Sequence, residues 1–138
     1  MALHIKEIKP LFNKLVTTGD KYEEDMLDNG IIIANKGDLK LYQTVLAVGS
    51  VIRDIQVGDQ VMINPMAYAR KKYDKNSLQE DLDNNPIIEF EFNWVKIYDE
   101  EDKPNECLLL NDRDIEYVFK GEEKKENVII PEKKLIIS

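Results

Sequence analysis

LKLYQTVLAVGSVIRDIQVGDQVMINP, residues 39–65, decides the fold class. Its first part, LKLYQTVLAV at 39–48, is rich in β-branched and aromatic side chains and stops at Gly49, as a strand does. A short VIRDIQ leads to a turn at Val57-Gly58-Asp59, and QVMIN at 60–64 reads as the next strand. Helical spacing of apolar residues is scarce here and elsewhere, so extended segments dominate.

Working outward, IKEIKPLFNKLVT at 5–17 reads as a further strand, with Pro10 at an edge or a bend because proline cannot donate to a ladder. ARKKYDKNSLQEDLDNNP at 69–86 is polar and Asn/Asp-rich, a long solvated excursion with room for a short helix near 76–82. PIIEFEFNWVKIY at 86–98 is the strongest strand. Ile88, Phe90, Phe92 and Trp94 share one face, opposite Glu89, Glu91 and Asn93. YDEEDKPNE at 98–106 turns the chain, so 86–98 and ECLLL at 106–110 form a hairpin. NDRD at 111–114 is a tight turn, and DIEYVF a last strand. Beyond Gly121 a charged linker precedes VII, PEKK and LII, a pattern for a small terminal hairpin. The expectation is an all-β barrel with an inserted loop and a C-terminal extension.

The totals suit one domain. The chain has 138 residues, 43% apolar and 33% charged, with a net charge of −8. That charge argues against nucleic acid, which needs clustered Lys and Arg to release counterions, and against an anionic membrane surface. No apolar run reaches the roughly 20 residues that span a bilayer. The first twenty residues lack the uncharged core of a signal peptide. A single cysteine, Cys107, cannot form an internal disulfide, which suits a reducing compartment. The expected location is the cytoplasm.

Catalytic chemistry finds little support. One histidine, His4, and one cysteine cannot supply the three or four ligands of a standard zinc site. Cys107 alternates within a strand and reads as a small buried hydrophobe rather than a nucleophile. The acidic stretch DKNSLQEDLD lacks the glycine and glutamate spacing of a calcium loop. No glycine-rich phosphate cradle is present. An Asp/Glu pair stays open, although no carboxylate is singled out by an apolar setting. The chain is read as no enzyme, without a cofactor or metal of its own.

The least settled stretch is EEDMLDNGIIIANKGDLK, residues 23–40, where Ile31, Ile32 and Ile33 interrupt a charged, glycine-containing loop. Gly19, Gly30 and Gly37 loosen the backbone. The charge is too dense to pack firmly, so the segment is expected to be disordered when free. The alternative is an ordinary buried strand.

Five phrases in order, IKPLFNKLV at 8–16, NGIII at 29–33, VLAVGS at 45–50, VGDQVMINP at 57–65 and CLLLNDRDIEYVF at 107–119, resemble the GroES-type co-chaperonin family. Asn13 and Lys14 depart from the family's acidic–basic pair. The short SVIRDIQ replaces a roof hairpin, implying an open or differently closed dome. The stretch 66–105 is far longer than its equivalent, and 121–138 has no counterpart. Such departures suit a divergent or phage-encoded member.

The resemblance implies a GroES-like, partly open β-barrel over residues 1–120, with a mobile loop at about 19–38 and an insert at about 66–105. It implies that Gly30, Ile31, Ile32 and Ile33 dock in a groove of a GroEL-type chaperonin, which itself binds the ATP. It further implies a ring, a heptamer in the family, in which the first strand of one subunit (Ile8, Pro10, Leu11) pairs with the last strand of the next (Ile115, Tyr117, Phe119). Pairing of those segments inside one monomer is the rival. Phe90–Trp94 is read as core of an enlarged barrel, with a lining patch offered to a substrate or neighbour as the other choice. Two other classes compete for the whole chain. One is a GroES-fold structural or viral interaction module that binds no chaperonin. The other, a medium-chain dehydrogenase sharing the V-G-D-x-V phrase, fails for want of a dinucleotide domain.

Overall fold

The computed structural model describes residues 3–72 and 87–124. The described residues form ten strands in three antiparallel sheets and contain no α-helix, only 3-10 turns at Pro65–Tyr68 and Asp112–Asp114. The main sheet has six strands in the order β10 (Ile115–Phe119), β5 (Gln60–Ile63), β4 (Tyr42–Val48), β1 (Lys14–Thr18), β9 (Pro104–Asn111) and β8 (Trp94–Tyr98). The outer strands β10 and β8 do not pair, so the sheet is not a closed barrel. The all-β class stands. No helix among the described residues is long and apolar enough to cross a membrane.

The core follows from alternation. Every second residue of β4 and β5 faces inward, giving Gln43 and Val45, then Val61 and Ile63. Val45, Val61 and Ile63 join Leu15, Ile55, Tyr68, Leu108 and Leu110 in one buried hydrophobic cluster, against which Phe92 and Ile115 pack partly. The polar members are satisfied. The Tyr68 hydroxyl donates to Asp114 Oδ2 at 2.5 Å, and the same oxygen accepts the Asn111 N–H at 3.0 Å. Burial, then the bond to this carboxylate, pushes the Tyr68 hydroxyl far above the usual phenol range.

Two expectations need correction. The opening strand is shorter than 5–17, because Phe12 adopts φ 56° and breaks the extended run, leaving only Lys14–Thr18 in the sheet. Val51 N–H bonds Phe12 C=O, and Gly49 sits so close that a Cβ there would lie 2.2 Å from that oxygen. Glycine is required at 49 for this contact, as well as for ending β4. Pro10 is buried and lies outside the strands, in the segment that leads into the turn at Phe12.

The stretch 86–98 is not one strand. It divides into β7 (Ile87–Phe90), which pairs with β6 (Ala69–Lys72), and β8, which pairs with β9. Between them Glu91 N–H bonds Tyr68 C=O, while Asn93 C=O accepts from Leu109 N–H, so the backbone changes partners within three residues. The beginning of the polar excursion is therefore a strand, with Arg70 directly opposite Glu89. The expected helix near 76–82 and the terminal hairpin lie outside the described residues.

Residues 20–40 form a hydrogen-bonded hairpin arm. Its strands are β2 (Met26–Asp28) and β3 (Ile31–Ala34). Asn29 and Gly30 both take positive φ, 53° and 79°, as a two-residue turn between antiparallel strands demands.

Candidate functional site

The arm is built from its base upward. At the base Gln43, buried on β4, uses its whole amide. Its Oε1 accepts from the Thr18 hydroxyl at 2.8 Å and from Asp20 N–H at 2.9 Å. Its Nε2 donates to Asp20 C=O at 2.9 Å and Lys40 C=O at 2.7 Å. One side chain thus clasps both ends of the arm, and Lys40 N–H closes them directly on Asp20 C=O. Above it, Tyr22 exchanges bonds with Gly37 and Asp38, and Asp25 and Asp38 carboxylates accept from Lys36 and Asn35 N–H groups.

Aromatic contacts back this stem. The Lys40 ammonium lies 5.3 Å from the Tyr22 ring centre and 5.8 Å from that of Tyr42, and pairs with Glu123 at 2.9 Å. Partial burial, then the Glu123 charge, raises the Tyr22 hydroxyl above its ordinary pKa, opposed by Lys40. Next to it, the Trp94 ring lies against Gly19, with Lys21 Nζ 5.1 Å over its face.

Towards the tip, Leu27 faces Ile32 and Asp28 faces Ile31, while Met26 faces Ala34. Ile33 is the additional residue of a β-bulge, so the strict in–out alternation fails where the isoleucines lie. All three are exposed, Ile31 at 68%, Ile32 at 53% and Ile33 at 64%. They are not a buried strand of the core. Burying such a side chain fully against a partner is worth roughly 1.5–3 kcal/mol. Neither arm strand belongs to the six-stranded sheet.

The residues expected at a subunit interface fall in two places. Ile115, Tyr117 and Phe119 lie on β10, an outer strand that among the described residues pairs with β5 alone; Tyr117 is exposed, while Ile115 and Phe119 are half-buried. Leu11 is exposed, whereas Ile8 is half-buried and Pro10 buried. Both sides of β1 are occupied within the chain, by β4 and β9. Only the segment before Lys14 is therefore left for a neighbour. Cys107 is buried as expected, and burial, then Asp20, pushes its thiol up, away from nucleophilic character. His4 is not a loose terminal residue. Its ring stacks on Tyr98 with centroids 3.6 Å apart and bonds Asp102 at 2.7 Å, holding the N-terminal segment on the β8–β9 hairpin.

Two features of the site were missed in the sequence. Gln43 carried a signal, a polar residue at an inward position of an otherwise apolar strand. The Lys40–Glu123 pair carried none, since nothing local relates residues so distant in the chain.

Replacing Gln43 with leucine keeps the volume and strands the Asp20 N–H and the Lys40 C=O, whereas Asp20 C=O keeps its bond from Lys40 N–H. Each buried orphan costs about 1–3 kcal/mol. The expected result is an arm whose Tyr22, Gly37 and Lys40 amides exchange at least about tenfold faster, at 1.4 kcal/mol per decade. Amides of β1 and β9 should keep their rank as the slowest. Equal acceleration everywhere would show that Gln43 serves global stability rather than the arm.

Compared with protein-family models and with curated proteins, the chain matches none.

Proposed function

We propose that this chain is a co-chaperonin of the GroES type, assembling as a ring, a heptamer, that caps a GroEL-type chaperonin and assists ATP-dependent folding. The observation that carries the reading is the hairpin arm with Ile31, Ile32 and Ile33 exposed on one strand, clasped at its base and separate from the main sheet. The six-stranded sheet then serves as the wall of a partly open GroES-like barrel. The ordered phrases that resemble the family add support independent of the arm's geometry.

The physical logic is that of many weak grips. One arm gains a few kcal/mol from burial and loses part of it to side-chain and backbone ordering. Several arms on one ring act at a high effective concentration, so avidity rises by about 10²–10⁴ without new contacts. Such a lid holds and still releases when the partner's grooves change. The chain needs no cofactor for this role, ATP being bound by the chaperonin, and acts in the cytoplasm. Ring closure would use the outer strand β10 and the N-terminal segment around Leu11, because an unpaired strand edge invites a neighbour.

Two measurements test this. Native mass spectrometry at micromolar concentration is expected to give a closed ring of 16.0 kDa subunits, and a lone monomer would refute ring assembly. Pull-down against a chaperonin from the same host is expected to capture the protein only with ATP present.

A second reading, a GroES-fold structural or viral interaction module that binds no chaperonin, draws on one observation. The arm is already hydrogen-bonded at its base, whereas the family resemblance implies a loop that orders on binding. A ring that forms yet is never captured with ATP would favour this module.

A further inference from the structure

The six-stranded sheet has two outer strands, β8 and β10, each of five residues. Every neighbouring pair within the sheet is antiparallel, so β8 and β10 run in opposite directions. A second copy in the same orientation therefore offers its β10 antiparallel to β8, and one sheet would continue across the contact. An open strand edge is a template for that kind of addition.

The two edges match in charge as well as in direction. β8 is Trp94–Tyr98 with Lys96 as its charged residue, and β10 is Ile115–Phe119 with Glu116 as its own; both charges are exposed. The bulge between Ile115 and Tyr117 leaves Glu116 without a residue opposite it on β5. Lys96 faces Glu106 within its own chain, and an incoming Glu116 would set it between two carboxylates. That register also brings Val118 to Trp94, both exposed, and the start of β10 to Ile97.

Ile97 is already taken. Ile5 forms a parallel bridge with it, and the Ile5 C=O accepts from Tyr98 N–H at 2.8 Å. His4 stacks on Tyr98 with centroids 3.6 Å apart and bonds Asp102 Oδ1 at 2.7 Å. Asp102 lies in the turn between β8 and β9, so the hairpin that presents the edge also grips its cover. Further along, Val51 N–H holds Phe12 C=O, which fixes the segment at its other end.

We propose that His4 and Ile5 are an edge guard on β8. While they hold Ile97 and Tyr98, β10 of a second copy cannot add there; without them, copies join head to tail. A contact between two different edges repeats from copy to copy. The tether decides the competition. A short tether holds the guard at about millimolar effective concentration, so a second copy at micromolar concentration loses by about a thousandfold at equal intrinsic strength. The inference goes beyond the docking function, and its test involves no chaperonin.

Two full-length variants test the guard by sedimentation velocity across a concentration series. His4→Ala removes the stack and the Asp102 bond at a side chain 46% exposed, so folding is not at stake. His4→Ala/Ile5→Gly also loosens the backbone at the bridge. The double variant is expected to grow beyond the natural chain's mass at a protein concentration about 10²–10³-fold lower than the natural chain does. The single variant should fall between the two, and both should keep the natural far-ultraviolet spectrum. Adding Glu116→Lys to the double variant sets like charges at the contact and should reverse the gain. Guard variants that keep the natural chain's mass at every concentration overturn the proposal. So does a gain in mass that Glu116→Lys leaves in place, since the added copy then sits on another surface.

Discussion

Leu108→Ala should lower the free energy of unfolding by about 2–5 kcal/mol, the range for deleting a large aliphatic side chain from a packed interior. Leu108 is fully buried, on the strand that pairs with β1 on one side and β8 on the other. Thr17 and Trp94 lie directly across from it. A cavity there has neighbours on both sides that are themselves held by ladder hydrogen bonds, so collapse around it is limited. The upper half of the range is expected for that reason. Denaturant titration checks it through the midpoint at an unchanged slope. Ile31→Ala is the internal control. Its side chain is exposed and belongs to no core cluster, so the change should stay within about 0.5 kcal/mol. Equal losses at the two positions would mean that the arm and the sheet share one hydrophobic core, contrary to the packing described.

The central strands were legible because the burial that stabilises them imposes a period of two. Residues 42–46 and 60–63 alternate as expected, and each fell within the stretch assigned to a strand. The same rule misled at 86–98. The alternation Ile88, Phe90, Phe92, Trp94 continues without a break across a point where the backbone leaves one sheet and joins another. Side-chain pattern reports which face is apolar; it does not report which strand lies alongside. The first strand failed for a related reason. IKEIKPLF has the pattern of a strand, but a left-handed Phe12 and the near contact with Gly49 set where pairing begins.

The arm was half legible. Asn-Gly between apolar runs is a strong hairpin signal, yet charge density favoured disorder. The base of the arm is set by Gln43, a side chain of another strand that supplies bonds to both ends of the segment. Local composition cannot express a bond of that kind. The residues left the three isoleucines open between an exposed tip and a buried strand, and the structure shows them exposed. Their flanks are too polar to bury, so an apolar triplet between them has no interior to enter.

Ile32→Asp carries the largest functional effect. Ile32 lies opposite Leu27 with about half its surface open to solvent, and it occupies the middle of the triplet. Losing its burial on docking removes roughly 1.5–3 kcal/mol per arm, about ten- to a hundredfold in each arm's grip. The carboxylate adds a desolvation cost in an apolar groove. The proposed ring would bind through every arm at once, so these losses would accumulate and the avidity of about 10²–10⁴ would be lost with them. ATP-dependent capture by the chaperonin is therefore expected to disappear, while the unfolding free energy moves by no more than about 0.5 kcal/mol. Ile32→Val, which keeps the shape and most of the apolar area, should retain capture. This pair separates docking from folding. A variant that stays folded and ring-shaped but is no longer captured assigns Ile32 to the partner contact. Capture by Ile32→Asp at the unmodified level would remove the arm from the docking surface and leave the interaction module as the better account of the fold.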